Sequence, residues 1–168
     1  SGTTYYYRVA AIYAVSGVAR LSVPTADASI QLGAATATVV GLTSGLPSGL
    51  LTAGTTIYPR VEFTRAVTVT GAPRLLLQIG ARQVYATYSS GSGTTGLVFA
   101  YTLSELDQAT WIDAASPTAL QLNGGTIKDS AAVNATLTLP AAGTSTSLSV
   151  VRAYAVQANA AGYLTLTY

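Results

Sequence analysis

From residue 57 to residue 139 the chain alternates apolar or β-branched residues with polar ones in short runs, each closed by Gly, Ser, Pro or Asn. Alternation with a period of two sends every second side chain to one face, the mark of a half-buried strand. Ile57–Thr64, Val67–Gly71, Leu75–Gly80 and Val84–Tyr88 follow one another within about forty residues, a spacing that leaves no room for helices between them. After a Ser89–Gly96 turn, Leu97–Leu103 carries Leu97, Phe99, Tyr101 and Leu103 on one side, and Ala119–Leu122 and Ala135–Leu139 complete the series. The pattern predicts an antiparallel sandwich that presents a surface, with little sign of an interior where chemistry happens.

Three zones follow from this pattern: residues 1–33, 34–140 and 141–168. The middle zone opens with Thr36–Leu42 and a flexible Ser44–Gly49 segment. Its runs then add up to about seven strands, the number an immunoglobulin-like sandwich requires. The expected fold class is therefore all-β, an immunoglobulin-like antiparallel β-sandwich with flanking β segments. In the first zone Tyr5, Tyr7, Val9, Ala11 and Tyr13 share a face of one long strand, and Ala19–Pro24 is its hairpin partner after the Ser16-Gly17 turn. The third zone reads as a Gly143–Ser147 linker followed by two strand-like pieces, Leu148–Val156 and Gly162–Tyr168. A strand at the very end marks Tyr168 as a cut end or a paired one, and an opening at Ser1 without Met or a signal peptide marks a processed product or an excised fragment.

Composition narrows function. The chain has no His, Cys or Met, so the usual proton shuttle, the thiolate nucleophile and the soft metal ligands are missing. Six carboxylates remain, Asp27, Glu62, Glu105, Asp107, Asp113 and Asp129. The net charge of +2 is too small and too scattered for a nucleic-acid groove. Charged residues make up 8% of the chain, where soluble domains average about 25%, and Thr, Ser, Ala and Gly carry the surface instead. No apolar run reaches membrane-spanning length, so no membrane insertion is expected.

Two stretches resemble known families. Gly2–Ala11, followed by Ser16-Gly17, resembles the last third of a fibronectin type III domain, where a Gly-x-x-Tyr-x-Tyr-Arg-Val strand precedes the final hairpin. That resemblance covers residues 1–25 and implies that the remaining strands are absent or come from another chain. Tyr58–Gly71, Pro73–Gly80, Ala86–Thr94, Leu97–Leu103 and Leu120–Asp129 resemble the tandem immunoglobulin-like or cadherin-like repeats of large bacterial surface proteins, including adhesins and cyanobacterial motility-associated surface repeats. The resemblance implies an extracellular or cell-surface location. Members of that family commonly carry an acidic Gly-Asp-x-Asp-x-Asp-Gly loop after the Phe-x-Tyr-Thr strand, where this chain has Ser104–Asp113.

Calcium takes six to eight oxygens. Glu105, Asp107 and Asp113 are its candidate ligands, with Asp129 and Asn134 as a second cluster; the competing reading is turn chemistry, in which Asp and Asn bond to their own backbone. Trp111, the single tryptophan, is either a platform for a sugar ring or a plug at one end of the sandwich. Lys128, the sole lysine, lies near Asn123, Asp129 and Asn134 and is either one end of a Lys–Asn crosslink or a solvated charge. Tyr5, Tyr7, Tyr13, Tyr154, Tyr163 and Tyr168 crowd into the end zones and are the candidate interface residues, with packing as the alternative. The expected function is that of a structural or adhesive module of an extracellular bacterial surface protein or filament, with no catalytic step. Its expected partners are other copies of itself, neighbouring β domains and a cell-surface glycan. The alternatives are a phage virion protein, either tail fibre or decoration protein, and a carbohydrate-binding module using Trp111.

Overall fold

The computed structural model describes residues 4–16, 18–22, 28–31 and 36–157. The elements are β1 (Thr4–Tyr7), β2 (Ile12–Val15), β3 (Val18–Leu21), β4 (Ala28–Gln31), β5 (Val39–Ser44), β6 (Gly49–Thr52), β7 (Thr56–Ile57), β8 (Pro59–Thr70), β9 (Arg74–Ile79), β10 (Arg82–Ser90), β11 (Thr94–Thr102), β12 (Ile112–Ala114), β13 (Leu120–Gln121), β14 (Thr126–Asp129), the single helical turn α1 (Leu148–Val151) and β15 (Tyr154–Gln157). The protein is all-β. Two compact units divide the chain, residues 1–35 and residues 36–168.

In the first unit the strands form two separate ribbons. β1 pairs antiparallel with β4, and β2 pairs antiparallel with β3 around Ser16, whose φ of 51° turns the chain. The single strand expected over Tyr5–Tyr13 is thus two strands, because residues 8–11 leave the ladder; Ala11 instead exchanges bonds with Ser22, whose Oγ accepts from the Ala11 N–H and whose own N–H donates to the Ala11 carbonyl. None of the described side chains of this unit is buried.

The second unit is a nine-stranded, sandwich-like antiparallel sheet, compatible with an immunoglobulin-like domain. Its main path runs β12-β9-β10-β11-β8-β14. Alternation explains the core directly: β9 sends Leu75, Leu77 and Ile79 inward, β10 adds Val84 and Ala86, and β11 adds Leu97 and Phe99. Phe99 meets Tyr88 edge-on at 6.0 Å between ring centres. β8 is the element that folds the sheet over. Its first half pairs with β5 and its second half with β14, and its registers with β5 and β11 both shift. Thr64, Arg65 and Ala66 are exposed between Phe63 and Val67, which makes the sequence resemble two strands where the backbone is one.

Two expected strands differ. Residues 135–139 are extended and Leu139 is buried, yet the segment makes only isolated bridges, since its bonds go to three places: Ala135 to Ile127, Thr136 to Ala37 and Leu139 to Pro117. Leu148–Val156 begins as α1 and becomes a strand only at Tyr154. β15 then pairs in parallel with β6, from Tyr154 opposite Gly49 to Gln157 opposite Thr52. Gly162–Tyr168 lies outside the described residues.

Candidate functional site

The loop after β11 is built on a buried carboxylate. Asp107 Oδ1 takes the Arg82 guanidinium at 2.5 Å, while Oδ2 accepts from the Tyr101 hydroxyl at 2.9 Å, the Ser104 N–H at 2.7 Å and the Ser104 hydroxyl at 3.0 Å. A carboxylate with no solvent exposure is tolerable only when its charge is paired and its lone pairs are occupied. The Tyr101 phenol is held above its usual range, first by burial and then by the hydrogen bond and negative charge of Asp107.

A second buried carboxylate, Asp113 on β12, performs a different task. Strand alternation turns Asp113 away from its neighbours Ile112 and Ala114, toward the segment that holds α1. There Oδ1 accepts from the Leu148 N–H at 3.2 Å and Oδ2 from the Ser149 N–H at 3.2 Å and the Ser149 hydroxyl at 2.5 Å, and the Ala114 N–H adds a bond to Oδ1 at 2.8 Å. These donors belong to a turn whose N-cap residue, Ser147, makes no side-chain cap bond. Asp113 satisfies the orphan N–H groups from 35 residues away, which no local pattern signals.

This arrangement does not bring the three calcium candidates together. Glu105 is exposed, Asp107 is taken by Arg82, Tyr101 and Ser104, and Asp113 is taken by α1. Among the described residues no three acidic side chains gather into a metal-holding group. Asp129 closes its own turn, its Oδ1 accepting from the N–H groups of Ala131 and Val133 at 2.9 and 3.0 Å. Lys128 does face Asn134 across an isolated bridge, but Asn134 is exposed, and the buried Asp129 carboxylate is turned to its own backbone. Asn123 is spent on the Ala72 carbonyl.

The tyrosines separate. Tyr154 is a core residue rather than an interface residue: it is buried and its hydroxyl donates to the Leu46 carbonyl at 2.8 Å, because β15 closes the side of the second unit instead of forming a free flank. Tyr7 is exposed. Tyr5 and Tyr13 lie in β1 and β2 with side chains outside the description, and Tyr163 and Tyr168 are outside the described residues. The exposed apolar surface of the first unit comes instead from residues the sequence did not single out. Ile12 and Leu21 stand directly opposite each other on the β2–β3 ribbon and are 76% and 70% exposed. Val15 and Val18, also paired and exposed, lie on the other face.

Trp111 is no plug. It is 41% exposed and forms one wall of an open groove of about 420 Å³, with Ala142, Gly143 and Ser149 across from it. Of these residues Gly143 belongs to the stretch read as a linker, and Ala142 and Ser149 flank it, small residues that carry no signal of a site. No protein-family model, no curated protein and no solved structure matches this chain.

Proposed function

We propose that the chain is a structural, adhesive module of an extracellular bacterial surface protein or filament, in which the immunoglobulin-like unit spaces and the first unit joins. The observation that carries this reading is the exposed apolar surface of the described residues of the first unit. Tyr6, Tyr7, Ile12, Val15, Val18 and Leu21 are all exposed on strands that, among the described residues, pair two by two. Two-stranded ribbons are marginal in water, and clustered exposed apolar residues mark contact surfaces. Further strands laid against these ribbons, from another copy or from a neighbouring β domain, would bury those side chains. The likeness of residues 1–25 to the end of a fibronectin type III domain and of residues 58–129 to bacterial surface repeats points the same way. The low charge supports it as well, since neutral, hydroxyl-rich surfaces pack closely without repulsion. No catalytic step is proposed: the three buried carboxylates among the described residues, Asp107, Asp113 and Asp129, are engaged in holding loops and turns.

The test is sedimentation velocity over a concentration series, on the full chain and on an Ile12→Lys/Leu21→Lys double variant. Covering one such side chain contributes roughly 1.5–3 kcal/mol. Losing most of that at both positions weakens association by about thirtyfold or more, while the melt of the second unit stays unchanged. A wild-type chain that neither self-associates nor binds a neighbouring β domain at any concentration removes the joining role.

A further inference from the structure

Trp111 stands on an unusually firm footing for a half-exposed aromatic residue. On its C-terminal side, Ile112 is buried and β12 is laddered onto β9, with Ile112 opposite Ile79. On its N-terminal side, Ala109 and Val156 exchange both backbone hydrogen bonds, at 3.0 and 2.7 Å. The backbone is therefore pinned two residues before the indole and one residue after it. An exposed indole costs free energy unless something covers it, and a pinned one can be covered without further ordering.

The space beside it has a definite chemistry. The groove holds about 420 Å³, within the roughly 300–1,000 Å³ of small-molecule sites. Gly143 takes a φ of 80°, and a methyl group placed there would meet nothing within 4 Å, so the trough in front of it is open. Ser149 donates its proton to Asp113 at 2.5 Å and accepts from the Ser147 hydroxyl at 3.3 Å, which leaves one oxygen lone pair to accept from a guest. The Gly143 N–H is already given to Ser147 Oγ at 3.1 Å. Among the described residues no charged side chain lines the groove, and the Asp113 carboxylate is occupied by its own donors. Phosphate, acidic and basic guests thus find no counter-charge among the described residues.

We propose that this groove binds a neutral saccharide, one pyranose ring lying with its C–H face against the Trp111 indole and a hydroxyl donating to Ser149 Oγ. An indole face attracts polarised C–H bonds, and a ring with hydroxyls around its rim satisfies a trough that is apolar on one wall and hydroxyl-bearing on the other. The open shape also suits an internal unit of a longer chain. This assignment is independent of the joining role proposed for residues 1–35.

Because Trp111 is the only tryptophan, its emission reads the site directly. The full chain is titrated with chitotetraose, cellotetraose and maltotetraose, with a proline-rich decapeptide as the competing class of guest. The expected result is a saturable emission change with at least one tetrasaccharide, at about millimolar affinity or better, and none with the peptide. Calorimetry on variants then locates the contact. Trp111→Ala loses about tenfold or more in affinity, Trp111→Tyr retains most of it, and Ala142→Phe, at an exposed position, blocks the trough without lowering the melting temperature. The proposal is overturned if none of the three sugars gives a saturable change, if the peptide alone does, or if Trp111→Ala binds as the wild type does.

Discussion

Replacing Asp113 by Ala removes the acceptor for four donors at once: the N–H groups of Ala114, Leu148 and Ser149 and the Ser149 hydroxyl. A hydrogen bond to a charged group contributes roughly 1.5–3 kcal/mol, and a buried donor left without a partner costs about 1–3 kcal/mol. The four bonds are not additive. The Ser149 hydroxyl can rotate toward Ser147 Oγ, which already lies 3.3 Å away, and loss of the buried carboxylate also relieves its own desolvation. What remains is the two N–H groups of the α1 turn, held against the fully buried Leu148 with no other cap. The expected loss is about 3–4 kcal/mol, which for a unit of this size lowers the melting temperature by roughly 10 °C. Asp113→Asn keeps one acceptor oxygen but places its amide near the same donors, so it falls about halfway. The assay is thermal unfolding of the full chain followed by far-ultraviolet circular dichroism, with urea titration for the free energy. An Asp113→Ala variant that loses less than about 1 kcal/mol shows that the turn is held by packing of Leu148 alone and refutes the capping argument.

Two further outcomes follow from other parts of the second unit. The folded state favours the neutral Tyr101 phenol, whose pKa is raised above 10.0, so its contribution to stability is complete below about pH 10 and declines as pH climbs from there through the raised value. Urea midpoints taken from about pH 9 to about pH 11 should fall more steeply for the wild type than for Tyr101→Phe; parallel curves would show that Asp107 does not bias this phenol. Gly91 and Gly93 both take positive φ, 105° and 83°, but a methyl group on Gly91 would strike the Gly96 carbonyl oxygen while one on Gly93 meets open space. Gly91→Ala should therefore cost about 2 kcal/mol or more and Gly93→Ala about 1 kcal/mol, and equal urea midpoints for the two would contradict the backbone path drawn for the β10–β11 turn.

The faces of the strands were legible in the sequence because alternation is a local property. Leu75, Leu77 and Ile79 fall inward as their spacing requires, and so do Leu97 and Phe99. What alternation cannot carry is pairing. Residues 135–139 have the right spacing, and Leu139 is buried, yet Ala135, Thr136 and Leu139 bond to three different neighbours. Gly49–Thr52 and Ala28–Gln31 are only four residues each, too short for a pattern to stand out, and become strands because β15 and β1 lie alongside. Leu148–Val151 is rich in β-branched residues and still turns helically, since Asp113 supplies acceptors that a strand would not use. At the candidate site the acidic residues were visible but their destinations were not: Asp107 and Asp113 look alike in composition, and only the fold shows that one answers Arg82 and the other α1. Trp111 could be noticed as a lone tryptophan, but the small residues facing it are indistinguishable from a linker until the chain returns.

The shared direction of β6 and β15 has a mechanical corollary. Tension that enters at Gly49 and leaves at Gln157 drags one strand lengthwise past the other, so the rungs from Tyr154–Gly49 to Gln157–Thr52 are sheared together, as in a lap joint. The hairpin between Ile12 and Leu21, pulled from its open ends, instead peels rung by rung. One polypeptide thus holds both a clasp that resists stretching and a flap that yields to it.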